Sequence, residues 1–510
     1  NTAIGYQAMS GSEGSDGGYN VAVGANAGGT ASGSYNVLVG FAAGFGSQGA
    51  GPDFTGNRNT FIGTRAGEYT TTGEGTVAIG ASAARQQLRL MDGVVIGRGA
   101  MNVSTSDLVT GVVAIGAYAL GQSQQNTDYT VAIGYKAAHG QTTTEPHSVY
   151  IGGFAGYNAT SSFQGVMIGH GAGYNTGRSN STQGTTLVGY QSGYNTTGSY
   201  NTFMGSQAGY GGTTSAPYSS GQHNTGVGAN ALKGFTTGQY NTTVGKDAGT
   251  AITTANYNTF VGAWAGDAAT ASGYNTVVGF QAFSDAVADS SHTVAIGYQA
   301  GKAITSGDGN VMIGAAAGST TTDVDKAVII GQDAGLANMT SDADGTVAIG
   351  YAAGYYITSG IGNTAVGYTA LAGENDGDRN TAVGYEALRY QTGTTGTVGN
   401  TAVGYQAGKV TTTGRFNTIV GGIAGAAITT AVNNTYIGYA AGLSITGAGN
   451  VGVGNHVMKA GSGAAANNTA VGGGSLYAIT SGTTNVAIGS EAGETLTTTS
   501  NTVLIGYQAG

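Results

Sequence analysis

Tyrosine is the one abundant side chain in this sequence with both an aromatic body and an acidic tip, at 30 of 510 residues. Ten tyrosines directly follow a recurring Gly, among them Tyr6, Tyr190, Tyr351, Tyr368 and Tyr405. Others, such as Tyr35, Tyr200 and Tyr274, precede a recurring Asn. Aromatics repeated in phase can form a sugar- or receptor-binding strip. They can equally cover coil edges and stiffen a stack, which is the favoured reading. Tyr190, Tyr351 and Tyr368 are kept as candidate surface contacts. Trp264, the only tryptophan, stands two residues after its Gly and is expected to be exposed. Pro52, Phe54, Pro217 and Tyr218 are further candidates, because they fall in the two longest insertions.

The residue types of catalysis are sparse. Charged residues make up 8% of the chain, and the net charge of −9 leaves no basic patch for nucleic acid. There is no Cys, hence no disulfide and no thiolate metal site. The six His, at 139, 147, 170, 223, 292 and 456, have no ligand spacing. Acidic turns at Asp323-Val-Asp325, Asp342-Ala-Asp344 and Asp376-Gly-Asp378 offer oxygen ligands. None completes a calcium loop, and turn chemistry explains them. Two G-x-G-x-x-G matches, starting at Gly44 and Gly447, are expected by chance with 97 Gly, and neither opens a helix. No paired carboxylates recur at a fixed phase, so no enzyme activity, cofactor or metal is expected. No apolar run approaches the roughly 20 residues of a membrane span.

The element that positions all these residues is a short phrase repeated 29 times, from Thr2-Ala3-Ile4-Gly5 to Val503-Leu504-Ile505-Gly506. The commonest spacing between anchor glycines is 17 residues, a period that signals a solenoid. Three residues before the anchor stands Thr (14 coils) or Val (15 coils); one before stands Ile or Val in all but the coil with Met204. Such β-branched pairs place stiff side chains on one face of a strand. The residue between them is also apolar in 26 coils, so the strand is expected to be buried on both faces. Three after the anchor, 26 coils carry Ala, read as the core contact of a second short strand or extended arm. Asn precedes the anchor by four in 18 coils, a corner that can accept the left-handed conformation and build a hydrogen-bonded ladder. Pro52, Pro146 and Pro217 fall between strands, as the phasing requires.

A single coil is too thin to bury much surface. With the Thr/Val and Ile/Val rows taken as its core, the row of Phe61, Leu187, Phe203, Phe260 and Ile329 would face outward and need cover from another chain. Self-association follows from that; the number of chains does not.

The intact Val-Ala-Ile-Gly phrase ending at Gly80, Gly116, Gly134, Gly297, Gly350 and Gly489 resembles the head repeats of YadA-type trimeric autotransporter adhesins. The run from Asn400 to Ala407 is similar to the Asn-Thr-Ala-Val-Gly-Tyr-Gln-Ala arrays of phage tail-fibre-like and bacterial surface proteins. The resemblance covers the whole chain, although the period is longer than the compact adhesin repeat. It implies a left-handed parallel β-roll, trimeric, extracellular or on a virion, and used in attachment. Residues 1–510 are accordingly expected to form one continuous β-roll array, all-β, of about 29 coils, a segment of a longer fibre. The expected function is a non-catalytic extracellular structural or adhesive fibre. It would assemble as a parallel homotrimer, displaying its variable turns to a host-surface glycan or receptor. The alternatives are a self-assembling surface filament or an ice- or lattice-binding solenoid, and behind those a polysaccharide-active β-solenoid. Ice binding requires an exposed Thr ladder, and the Thr/Val row is expected to look inward.

Overall fold

The computed structural model describes residues 1–11, 17–46, 53–102, 108–122, 127–141, 147–177, 182–213, 218–285, 290–393 and 396–510. Two compact units, Asn1–Tyr257 and Asn258–Gly510, are built on the same coil. In the first, 14 anchor strands of three residues run from Thr2–Ile4 to Thr242–Val244; in the second, 15 run from Thr259–Val261 to Val503–Ile505. Within each unit successive strands pair in parallel and in phase, as in Val131↔Val149, Ala132↔Tyr150 and Ile133↔Ile151. The chain is an all-β parallel solenoid with one such strand per coil. Among the described residues there is no α-helix and one 3-10 turn, Ser341–Ala343.

The facing of the strand is the reverse of the sequence expectation. The middle residue points into the coil: Phe61, Leu187, Phe203, Phe260 and Ile329 are all fully buried. The Thr/Val and Ile/Val residues flanking it are half-buried or exposed in every coil. The inward residue meets the position four after the anchor, and in many coils, though not in those of Ala22 with Gly28 or Ala402 with Gly408, the two exchange volume. Opposite Phe61, Tyr150, Phe260 and Tyr436 stands a Gly. A Cβ on Gly67 would lie 2.5 Å from the Phe61 ring, and one on Gly266 2.4 Å from Phe260. Where the inward residue shrinks to Gly226, Gly452, Ala114 or Ala382, the facing position grows to Leu232, Met458, Leu120 or Leu388, all fully buried. Close packing of a narrow interior demands such exchange.

Among the described residues no strand forms on the arm directly after the anchor, and second strands appear further along only in three pairs of coils, Arg89–Met91 with Leu108–Thr110, Ser162–Phe163 with Thr182–Gln183 and Gly377–Asp378 with Gly396–Thr397. The arm itself is a chain of turns, with left-handed backbone two and four residues on, as at Asn26 (φ 59°) and Gly28 (φ 61°). Its amides still bond from coil to coil, as Gly28 N donates to Ala43 O at 2.8 Å. Ala remains its core contact, buried from Ala27 to Ala492. The anchor itself must be Gly. Its φ lies near +135°, and a Cβ on Gly63 would stand 2.6 Å from the Gly80 carbonyl oxygen.

The Asn corner is a ladder. Asn417 N donates to Asn400 Oδ1 at 2.9 Å, Asn434 N to Asn417 Oδ1 at 3.0 Å, and Asn450 N to Asn434 Oδ1 at 2.9 Å. Most of the side-chain amides also donate to a carbonyl at the next corner, as Asn417 Nδ2 does to Ala431 O at 2.9 Å. These amides are buried, so every bond of the ladder replaces water. The left-handed residue of this corner is the one before Asn, such as Tyr35 (φ 62°) or Tyr200 (φ 59°).

Candidate functional surface

Three surfaces of the coil carry the residues that recognition needs. The first is the outward face of the strand column. Two rows run along it, Thr/Val and Ile/Val, and no charged residue interrupts either. Met204, Val403, Ile437 and Ile488 are exposed. A subunit contact is expected from the sequence at Phe203, Phe260 and Ile329 or else at the rows flanking them; the first alternative is corrected, because these three are fully buried in their own coil, and the flanking rows are the ones open to the outside.

The second surface is aromatic. Five residues after the anchor, His139, Tyr157, Tyr174, Tyr194 and Tyr210 stack coil on coil, with centroids 5.1, 5.0, 4.7 and 5.2 Å apart. Directly after the anchor, Tyr351, Tyr368, Tyr385 and Tyr405 do the same at 5.1, 5.0 and 5.4 Å. Before the Asn, Tyr200, His223, Tyr240 and Tyr257 stack at 5.1, 4.9 and 5.1 Å. Each of the six His packs against a Tyr ring of a neighbouring coil, a placement that chain order alone does not show. Rings inside a stack have both faces covered and offer solvent only their edges. A strip of this kind stiffens the stack of coils more readily than it grips the face of a sugar.

The candidate contacts separate accordingly. Tyr190, Tyr351 and Tyr368 are exposed. Tyr190 stacks on His170 at 5.8 Å, and Tyr351 ends the stack that continues to Tyr368. Trp264 is half-buried rather than exposed, edge-on to Phe280 at 5.2 Å. Phe54 is fully buried, its ring 5.7 Å from Phe61, and is removed as a surface contact. The reason is topological: after the insertion the chain re-enters the coil at Phe54, bridged in parallel to Ala31 of the preceding coil's interior. Tyr218 is buried as well, beside Ser219, which bridges to Thr196 in the same way. Pro52, Pro146 and Pro217 lie outside the described residues.

The third surface is polar. One position before the left-handed corner, side-chain oxygens accept amides from the coil before. Asp325 Oδ1 accepts from Asp308 N at 2.7 Å, Asp344 Oδ1 from Asp325 N at 2.8 Å, and Asp378 Oδ1 from Ile361 N at 3.0 Å. This second ladder is where the acidic turns go. Among the described residues no group of three or more His, Asp or Glu could hold a metal ion. The motif at Gly447 runs into the strand Val451–Val453 and opens no helix.

Two carboxylates differ from this pattern. Glu374 is fully buried on the interior row that carries Ile304, Ile357 and Ile428 in other coils. Burial pushes its carboxyl up to about 7, against the lowering effect of the Gly377 and Asn375 amides that donate to Oε1 at 2.9 Å each. Glu386 lies below its ordinary value. Its burial acts upward, but Lys409 at 2.6 Å, Gln406 at 2.8 Å and Arg389 outweigh it. Burial and then the Lys136 charge hold His139 below its usual value, so it is neutral at pH 7. Burial alone pushes the Tyr150 phenol up to about 12. A scan against protein-family models finds no match for the chain, and no curated protein matches it at a significant level.

Proposed function

We propose that the chain is a non-catalytic, extracellular structural and adhesive fibre that associates as a parallel homotrimer through the outward face of its strand column. One observation carries this reading: that face is free of charge, built of an apolar Ile/Val row beside a Thr/Val row, and repeated without interruption through each unit, while nothing of the same coil lies over it. A partner covering it must share its coil-to-coil repeat, and a second copy of the chain does so by construction. Apolar strips of that extent mark contact surfaces. Loops displayed from such a shaft would bind by many weak contacts rather than in one deep pocket.

Sedimentation and native mass measurement of the purified chain test the assembly. Three copies per particle are expected, and Ile437→Lys with Val403→Lys should shift the mass toward one. A monomeric parent at micromolar concentration removes the proposal.

A second reading rests on the outward facing of the Thr/Val row, which the sequence leads one to expect inside. Consecutive Thr stand on that face at Thr364, Thr381, Thr401, Thr418 and Thr435. A regular Thr ladder on a flat sheet can order water or meet a crystal lattice. Thermal hysteresis in the parent, lost in Thr401→Lys with Thr418→Lys, would favour this reading over the trimer.

A further inference from the structure

The aromatic row five residues after the anchor is continuous from Tyr210 back to His139 and then stops at Gly121. A Cβ on Gly121 would stand 2.8 Å from the Tyr118 carbonyl oxygen and 3.1 Å from His139 Cδ2, so the backbone itself keeps a side chain out of this place. The missing ring leaves a depression of about 570 Å³. Two cations border it. The Arg98 guanidinium lies over the Tyr118 ring at 5.1 Å, and Lys136 Nζ lies 5.4 Å from the Tyr135 ring centre and 5.6 Å from that of Tyr157.

On the row five after the anchor some cations are neutralised: Arg85 meets Glu68 at 2.6 Å, and Lys409 meets Glu386 at 2.6 Å. Lys233, Lys302 and Lys459 have no ion pair among the described residues, and border no such ring-lined hollow with a second cation. Neither Arg98 nor Lys136 has an ion pair among the described residues, and the arms 98–102, 117–122 and 135–141 contain no acid. In a chain of net charge −9 this is a locally positive place.

We propose that the depression at Gly121 binds an acidic oligosaccharide, with carboxylates at Arg98 and Lys136 and sugar C–H surfaces on Tyr118 and Tyr135. This rests on the attachment reading above and names the chemistry of its ligand. Each part of the ligand answers a part of the site. The carboxylates take unpaired cations, and the C–H surfaces meet rings at the border of a mostly polar hollow. A single-stranded nucleic acid fits less well, because the adjoining rings are stacked on one another and offer no open face for bases.

The test is calorimetric titration of the full chain with an α-1,4-linked galacturonate hexamer, a neutral maltohexaose, inorganic phosphate and an oligothymidylate. The galacturonate is expected to bind at least tenfold tighter than each of the others. Arg98→Gln with Lys136→Gln should weaken it at least tenfold with the circular dichroism spectrum unchanged. Equal binding of the neutral hexamer, tighter binding of oligothymidylate, phosphate alone matching the galacturonate, or a double variant that binds like the parent would each overturn the proposal. Adhesion of the parent to polysaccharide-coated beads, measured in parallel, separates the two readings. Beads held without galacturonate binding leave attachment standing and remove this site, whereas beads not held at all remove attachment.

Discussion

Phe61 and Ile62 are neighbours on one strand, and the contrast between their rows is the clearest statement of how the coil is used. Phe61 is 0% exposed and Ile62 is 37% exposed. The inward row varies from Gly226 to Tyr436, yet the outward rows are confined to Thr, Val and Ile with Met204 as the one departure. In most proteins the interior is the more restricted of the two. Here the largest and smallest inward residues are tolerated because the position four after the anchor compensates their volume, as Gly67 does for Phe61 and Leu232 for Gly226. Outside there is no compensating partner within the coil, and the rows are uniform all the same. Uniformity without an internal packing reason points to something outside that must fit, which is the physical basis of the proposed assembly.

The strongest way to break this comparison is to disturb the compensation. Gly67→Leu places a side chain where the Phe61 ring already lies and should destabilise the coil by about 3 kcal/mol. Phe61→Ala alone should cost about 3 kcal/mol through the cavity it opens. Together they recreate the pair found at Ala114 and Leu120, so the double variant should cost far less than the sum. Hydrogen exchange of the amides between Thr60 and Ala84 is the measurement. Additive losses would show that the two rows do not share one space.

That compensation also marks what the sequence makes legible. The period, the parallel register and the Asn ladder can be read directly, because each depends on one residue type at one phase. The facing of the strand cannot be read from alternation when both faces are apolar. The informative signal is the pairing of Gly226 with Leu232 and of Phe61 with Gly67, two positions whose sizes move in opposite directions. For the candidate contacts, insertion length suggests exposure, and it misplaces Phe54 because the insertion ends on an interior row. The hollow at Gly121 is invisible in sequence, since it depends on which row a missing side chain belongs to.

Glu374 offers a smaller perturbation, inside the coil and without change of volume. Its carboxyl titrates near 7 when folded against an ordinary value of 4.5, so the folded chain holds its proton more tightly than the unfolded one. Its contribution is therefore full below about pH 4.5 and is lost as pH rises toward 7, by on the order of 3 kcal/mol. Glu374→Gln keeps the shape and removes the proton. Urea unfolding at pH 4.5 and 7.5 should show a slope in the parent that is absent from the variant. Glu386, lowered by its ion pairs, should act with the opposite sign, contributing above the ordinary carboxylate range and losing that contribution as pH falls. Identical slopes in parent and Gln variant would mean that Glu374 is not held in the interior as described.

The mildest test falls on the exposed aromatic row, which is neither sealed like the inner row nor uniform like the outer face. Tyr385 lies between Tyr368 and Tyr405 at 5.0 and 5.4 Å, nearly parallel to both. Removing it with Tyr385→Ala breaks two stacking contacts, and because the ring is partly solvated the loss should be about 1 kcal/mol. Amide exchange should rise in the coils of Gly367, Gly384 and Gly404 and stay unchanged elsewhere, since a solenoid coil contacts only its neighbours. Tyr385→Phe should restore protection, because stacking needs the ring and not the phenol. A loss of surface attachment in Tyr385→Ala with no change in exchange would reverse the assignment. The row would then serve recognition, and the stiffness of the coil would rest on the Asn ladder and the paired strands alone.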